Sequence, residues 1–442
     1  VVTDNIVFIM VDDMRWDMVE AIHSVQRMAH SPVGMSFTQG FNANPVCCAS
    51  RATTLTGLYS KNNGIYGNLP PIGGFHLFDD HTTIATALHA AGYSTGLIGK
   101  YLNEYNDEDA TYVAPGWDRW WAIASRGGAY YGYGVSDDGK LKTYGFEPNE
   151  YLTDVVSRQA ERFISTAPEP FFAYIAPTAP HKNAVPADRH LRSFNQLGPW
   201  NPDSLNEANV SDKPQWVQAL PLLNEGKLAN QKKFRRNMYQ TLLAVDDLIE
   251  NVLTALRNRG VLERTMVVFM SDNGYLWGEH RLIGKSVPYL EATRMPLTFR
   301  WPKINPLPNR NALVQNIDLA PTFADVADIP FDCDGRSLVS ALKGDDPGPE
   351  TVYIEHGRLH AEETPPEHED EPQGFVPAFA QVQSKRWTYT WLSTEEEELY
   401  DLSRDPLQLK NVADKGIAIQ ADFQAACRQY LDKYPPGMTS AP

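Results

Sequence analysis

Two apolar runs of this chain end in the same way. NIVFIMV, Asn5 to Val11, leads straight into Asp12-Asp13, and TMVVFMS, Thr265 to Ser271, leads straight into Asp272-Asn273. Runs this rich in β-branched and large apolar residues read as strands buried on both faces, the habit of parallel sheets. Helix and strand alternate between them. TTIATALHAAGYSTGLIGK reads as a helix, a glycine stop at Gly92 and a strand, and YLTDVVSRQAERFIS reads as a helix before the strand FFAYIA. Residues 234–259 read as a long helix, with Met238, Leu242, Val245, Ile249, Val252 and Leu256 three and four apart and Gly260 as the stop. The alternation predicts an α/β domain with a mainly parallel sheet between helices.

That domain is expected over residues 1–345. Within it, 184–233 is polar, carries Pro, Asn and Trp without periodicity, and reads as an insertion or lid. Residues 346–442 read as a smaller α+β subdomain. FAQVQSKRWTYTWL alternates like antiparallel strands, a last helix covers 417–430, and the acidic run around 362–371 reads as a solvated loop. The 39 Lys and Arg against 55 Asp and Glu leave a net charge of −16, which argues against non-specific nucleic-acid binding. An anionic substrate must then be held by local positive charge. Four cysteines are too few for a disulfide scaffold, and no apolar run is long enough for a membrane span. The chain opens at Val1 and enters a strand at once, as it would if a leader had been removed or the chain trimmed.

In open α/β sheets the ligand site lies at the carboxyl ends of the strands. One acidic pair after a strand is most simply a helix cap. Two pairs on neighbouring parallel strands would bring three carboxylates and an amide to one place, a donor set for Ca²⁺ or, less well, Mg²⁺ rather than zinc. NPVCCASRATTLTG puts Cys47 near a helix N-terminus, where orphan N–H groups attract anions and favour a thiolate, and Arg51 lies one turn on. Lys100, His181 and Lys285 also follow strands or strand-end motifs. Together these groups form a site for an oxyanion ester, with a metal and cations spreading the transition-state charge.

CCASR followed by LTG resembles the sulfatase signature. VDD, GKYLNEY, APH, SDNGYLWGEH with its downstream GK, and ELYDLSRDP resemble further sulfatase blocks in the same order over nearly the whole chain. GKYLNEY with APGWDRWW is most similar to the N-acetylglucosamine-6-sulfatase and heparan-sulfatase branch. The resemblance implies the alkaline-phosphatase-like fold and hydrolysis of a sulfated sugar or aryl sulfate to alcohol and sulfate. It also implies that Cys47 is oxidised to formylglycine by a maturation enzyme and is hydrated to a gem-diol. One hydroxyl, held on Ca²⁺, attacks sulfur, and the other then expels sulfate.

By position, Asp12, Asp13, Asp272, Asn273 and residue 47 would hold Ca²⁺. Arg51 would fix the formylglycine, and Lys100, His181 and Lys285 would bind sulfate oxygens. His181 or Lys285 would protonate the leaving alcohol, and Asp272 would take a proton from the attacking hydroxyl. Asn103 and His280 are further candidates for substrate contacts. A periplasmic, extracellular or lysosome-like compartment follows from the family. Three positions depart from its pattern: Ala49 for the commoner Pro, Leu102 for a frequent His, and Asn63 for another. Two other readings stay open: a phosphodiester or phosphonate monoester hydrolase of the same superfamily, and a binding protein with unconverted Cys47.

Overall fold

The computed structural model describes residues 3–124, 129–305, 310–357 and 376–431. Its centre is a nine-stranded sheet in the order Gly34–Phe37, Leu297–Arg300, Thr265–Ser271, Asn5–Val11, Phe171–Ala176, Ser94–Gly99, Arg119–Ile123, Gly134–Asp137 and Leu141–Thr143. The five strands from Thr265–Ser271 to Arg119–Ile123 run parallel, and antiparallel pairs close both edges. The two acid-tailed strands are direct neighbours, with Asn5 opposite Thr265 and Val11 opposite Ser271. Asp12-Asp13 and Asp272-Asn273 therefore leave the sheet side by side.

Alternate residues of the central strand feed opposite faces. Ile6, Phe8 and Met10 pack with the helices Cys47–Thr56, Ile84–Ala90 and Leu319–Val326. Val7, Ile9 and Val11 pack with His23–His30, Leu152–Thr166 and the long helix Glu225–Arg259. Burial on both faces is why these strands lack a polar alternation. The long helix starts at Glu225, not near 234. Its Asn224 cap accepts from Lys227 N at 2.9 Å, but the first turns face solvent and show no apolar period. The last nine residues of the expected insertion are thus helix. The rest is mostly irregular, with a short turn at Asp188–His190 and one helical turn at Gln215–Gln218.

Thr351–His356, Phe379–Ser384, Trp387–Leu392 and Glu397–Asp401 form a second, antiparallel sheet in chain order. The helix Ala418–Leu431 covers it through Phe423 and Cys427. Glu355 N donates to Ala43 O at 2.8 Å, which docks this sheet beside the loop leading to Cys47. The acidic run around 362–371 lies outside the described residues.

Candidate active site and metal centre

Cys47 is the first residue of its helix and is buried. Its Sγ lies 3.3 Å from Asp12 Oδ1 and 3.9 Å from Asp13 Oδ1. Lys285 Nζ reaches both Cys47 Sγ, at 2.8 Å, and Asp13 Oδ1, at 2.6 Å. Lys100 Nζ donates to Asp12 Oδ2 at 2.6 Å. Arg51 grips Asp272 Oδ2 through Nε at 2.9 Å and Nη2 at 2.8 Å, and stands 3.8 Å from Asp12. Asn273 Nδ2 donates to Asp13 Oδ1 at 2.6 Å, and Asp13 N donates to Asp272 Oδ1 at 3.1 Å. His181 Nε2 lies 3.6 Å from Asp13 Oδ2. Its Nδ1 donates to Lys182 O at 2.7 Å, which leaves Nε2 as the nitrogen that faces the site. Asp12, Asp13, Cys47 and His181 each offer one ligand atom within 4.8 Å of all the others.

The structure therefore draws together Asp12, Asp13, Cys47, Arg51, Lys100, His181, Asp272, Asn273 and Lys285. Two candidates stand apart from these contacts. Asn103 binds Phe75 N through its backbone oxygen, and its buried Oδ1 has no hydrogen-bond partner. His280 is fully buried, bonds Glu207 Oε2 through Nδ1 at 2.7 Å, and stacks on Tyr289 with ring centroids 4.2 Å apart.

Electrostatics sharpen the picture. Burial, then Asp12, pushes the Cys47 thiol well above its ordinary range, more than Lys100 and Lys285 pull it down. Burial, and after it the Asp12 carboxylate beside the sulfur, work against the thiolate that the helix N-terminus alone would favour. Burial alone would raise Asp12, yet Lys100, His181, Arg51 and Lys285 together hold it well below the usual carboxylate range. Burial and Asp12 push Asp272 up. Lys285, buried among Asp13, Cys47 and Asp12, is raised well above the ordinary amine value.

Several contributors were not legible as site residues. Asn68 Oδ1 accepts from Cys48 N at 3.0 Å, completing the N-terminus that presents Cys47. Asn316 Oδ1 accepts from Ala43 N, and its Nδ2 donates to Thr53 Oγ1 at 2.8 Å and Thr54 Oγ1 at 3.0 Å. Tyr130 Oη donates to His181 O at 2.8 Å.

A parallel-centred sheet whose adjoining strand ends carry Asp12-Asp13 and Asp272-Asn273, ringed by buried cations, matches the alkaline-phosphatase-like sulfatase fold. The chain belongs to the sulfatase family: the Sulfatase model matches residues 4–329, and the model for the C-terminal part of N-sulphoglucosamine sulphohydrolase matches residues 278–433. The protein is thus a sulfuric ester hydrolase. The N-acetylglucosamine-6-sulfatase of Bos taurus is 31% identical over 420 residues, covering 86% of this chain and 74% of that protein. The extracellular sulfatase Sulf-1 homolog of Caenorhabditis elegans is 33% identical over 350 residues, covering 74% of this chain and 48% of that protein, so the chain matches about half of that relative's length. Among solved structures, BT4656 in complex with its substrate D-glucosamine-2-N,6-O-disulfate superposes with a TM-score of 0.82 at 24% identity over 98% of both chains. The phosphonate monoester hydrolase of Agrobacterium radiobacter gives 0.75 at 20% identity over 97% of this chain and 95% of that one. Both share the fold.

Proposed function

We propose that the chain cleaves the 6-sulfate ester of an N-acetylglucosamine-type sugar, using Ca²⁺ and a formylglycine made from Cys47. The observation that carries this reading is the placement of Cys47 between the Asp12 and Asp13 carboxylates and the Lys285 amine. The similarity to N-acetylglucosamine-6-sulfatases supplies the sugar. Asp13 Oδ2 and Asn273 Oδ1 are buried and lack any hydrogen-bond partner. Two orphaned oxygens beside further carboxylates suit a hard cation, so Asp12, Asp13, Asp272 and Asn273 would hold Ca²⁺. When bound, Ca²⁺ supplies Lewis-acid stabilisation of developing negative charge, and formylglycine supplies the nucleophilic oxygen.

The remaining work falls to this chain's own side chains. Arg51 donates to Asp272 Oδ2 through Nε and keeps Nη2 in ion-pair contact with the same oxygen, which fixes one wall of the site. Lys285 and Lys100 aim ammonium groups at the place of reaction and hold sulfate oxygens as charge moves onto them. Lys100 and His181 are less deeply buried than Lys285 and Arg51, so they meet the substrate at the mouth. His181 Nε2 hands a proton to the leaving alcohol oxygen. Asp272, raised by burial, receives a proton from the nucleophile. Asn103 is a further candidate for a substrate contact.

Folded Cys47 is 1% exposed, so the maturation enzyme must reach it before the fold closes. Residues 1–345 form the catalytic unit, and 346–442 shape its substrate side. Among the described residues, no helix is long and apolar enough to cross a membrane. We assign the protein to a secretory or periplasmic compartment, in line with the extracellular relative. Sulfate release from position-defined sugar sulfates tests the reading, with the 6-sulfate of N-acetylglucosamine expected to be turned over fastest. Phosphonate or phosphodiester turnover faster by orders of magnitude would contradict it.

A further inference from the structure

The polar insertion does something specific to the loop that carries Lys285. Leu276–Trp277 and Ile283–Gly284 pair as a tiny antiparallel hairpin, and Lys285 is the next residue. Its other arm begins at Asp272-Asn273, so both ends of the hairpin lie at the site. The tip is held in left-handed backbone at two residues that carry side chains, His280 with φ 52° and Arg281 with φ 65°. Such conformations are strained for residues with a Cβ and persist only where the surroundings impose them.

The surroundings here are the insertion. Leu205 bridges Glu279 in antiparallel fashion, Asn206 N donates to Gly278 O at 2.7 Å, and His280 N donates to Ser204 O at 2.8 Å. Arg281 spreads its guanidinium over three insertion carbonyls: Nε to Glu207 O at 2.9 Å, Nη1 to Leu220 O at 2.8 Å and Nη2 to Ala208 O at 2.9 Å. Glu207 adds the bond to His280 Nδ1 at 2.7 Å. Inside the hairpin, Glu279 closes the turn by accepting from Leu282 N at 2.8 Å and from Trp277 N at 2.6 Å, and Arg15 pairs with Glu279 from outside the insertion; the side of the tip that carries His280 and Arg281 rests on the insertion.

We propose that residues 204–223 act as a clamp that sets the position of Lys285, with Arg281 and the Glu207–His280 pair as its positioning residues. This rests on the reading that Lys285 holds the sulfate group. His280 then serves catalysis through the loop, not by touching the sugar.

The test is a double-mutant cycle between Arg281→Ala and Lys285→Ala in the mature enzyme. It is read by steady-state kinetics and by calorimetric binding of inorganic sulfate. Arg281→Ala is expected to lower kcat by about 10- to 100-fold and to weaken sulfate binding, with thermal stability recorded alongside. Added to Lys285→Ala, it should lower either quantity less than twofold further, because the clamp then has no amine to place. Arg281→Lys, which keeps the charge but loses the fork, should fall between wild type and Arg281→Ala. It carries the same cycle if Arg281→Ala does not fold. Multiplicative effects, or unchanged kinetics in a clamp variant, would overturn the proposal. An unimpaired Lys285→Ala would instead overturn the role given to Lys285 itself.

Discussion

Gly99 turns the chain with φ 124°, and a Cβ placed there would meet Ala176 O at 2.1 Å. Lys100 N donates to that same carbonyl at 2.7 Å, so the glycine lets the backbone close in and aim the next side chain at Asp12. Gly99→Ala should push Lys100 out of register, lowering kcat at least tenfold and stability by about 1–3 kcal/mol. Kinetics and thermal melting check both, and activity within twofold of wild type would contradict the placement. Lys285→Ala should cut kcat/KM by about 10²- to 10³-fold, the scale for losing a charged oxyanion contact, and Arg51→Ala by a similar factor through the loss of its hold on Asp272. Arg51→Ala should also destabilise the fold by about 3–5 kcal/mol, because it strands a buried Asp272. Near-normal kinetics in either variant would show that the reaction occurs elsewhere. Most of this cluster was legible because Asp12, Asp13, Lys100, His181, Asp272 and Asn273 come after strands, whose ends in such sheets converge, and Cys47 and Arg51 share the start of one helix. Asn68 and Asn316 were not, since an asparagine that caps a distant segment looks like any loop residue until the chain is folded.

The helix Cys47–Thr56 depends on elements far from it in sequence. Asn316 ties the loop before it, through Ala43, to its second turn, through Thr53 and Thr54. Asn316→Ala should cost about 2–3 kcal/mol in chemical denaturation, as buried donors and acceptors lose their partners. A loss below 0.5 kcal/mol would mean water replaces the amide. Two residues on, Asp318 accepts from Gln315 N at 2.8 Å and Arg336 N at 3.0 Å, yet burial outweighs these bonds and raises it to about 6. A folded pKa above the unfolded value of about 3.9 means the folded state holds the proton more tightly. The stability from that proton is present below about pH 4 and is lost as pH rises through 6. Asp318→Asn removes the titration, so stability relative to wild type should shift in its favour by about 2–3 kcal/mol between pH 4 and 7. A pH-independent difference in parallel urea titrations would contradict this. The α/β alternation was readable because two-sided burial leaves unbroken apolar strands. The early start of the Glu225–Arg259 helix was not, because its first turns project into solvent.

Across the molecule, a chain of net charge −16 gathers three carboxylates and several cations at one sheet edge. A divalent cation bound there should stabilise the fold by mass action. Chelation should therefore lower the melting temperature as well as the activity, with Ca²⁺ restoring both better than Mg²⁺. An unchanged melting curve in chelator would argue that no cation is held. The order of the sulfatase-like blocks made the fold class plain over nearly the whole chain. The clamp role of the insertion stayed hidden, because it rests on backbone bridges that leave no periodic trace. The most direct test of the whole account follows position 47. Preparations co-expressed with graded levels of a formylglycine-generating enzyme would be assayed for sulfate release from N-acetylglucosamine 6-sulfate, and peptide mass spectrometry would give the converted fraction in each. The rate should rise in proportion to conversion and extrapolate to zero for intact Cys47; full activity with unconverted cysteine, or none after complete conversion, would contradict the account.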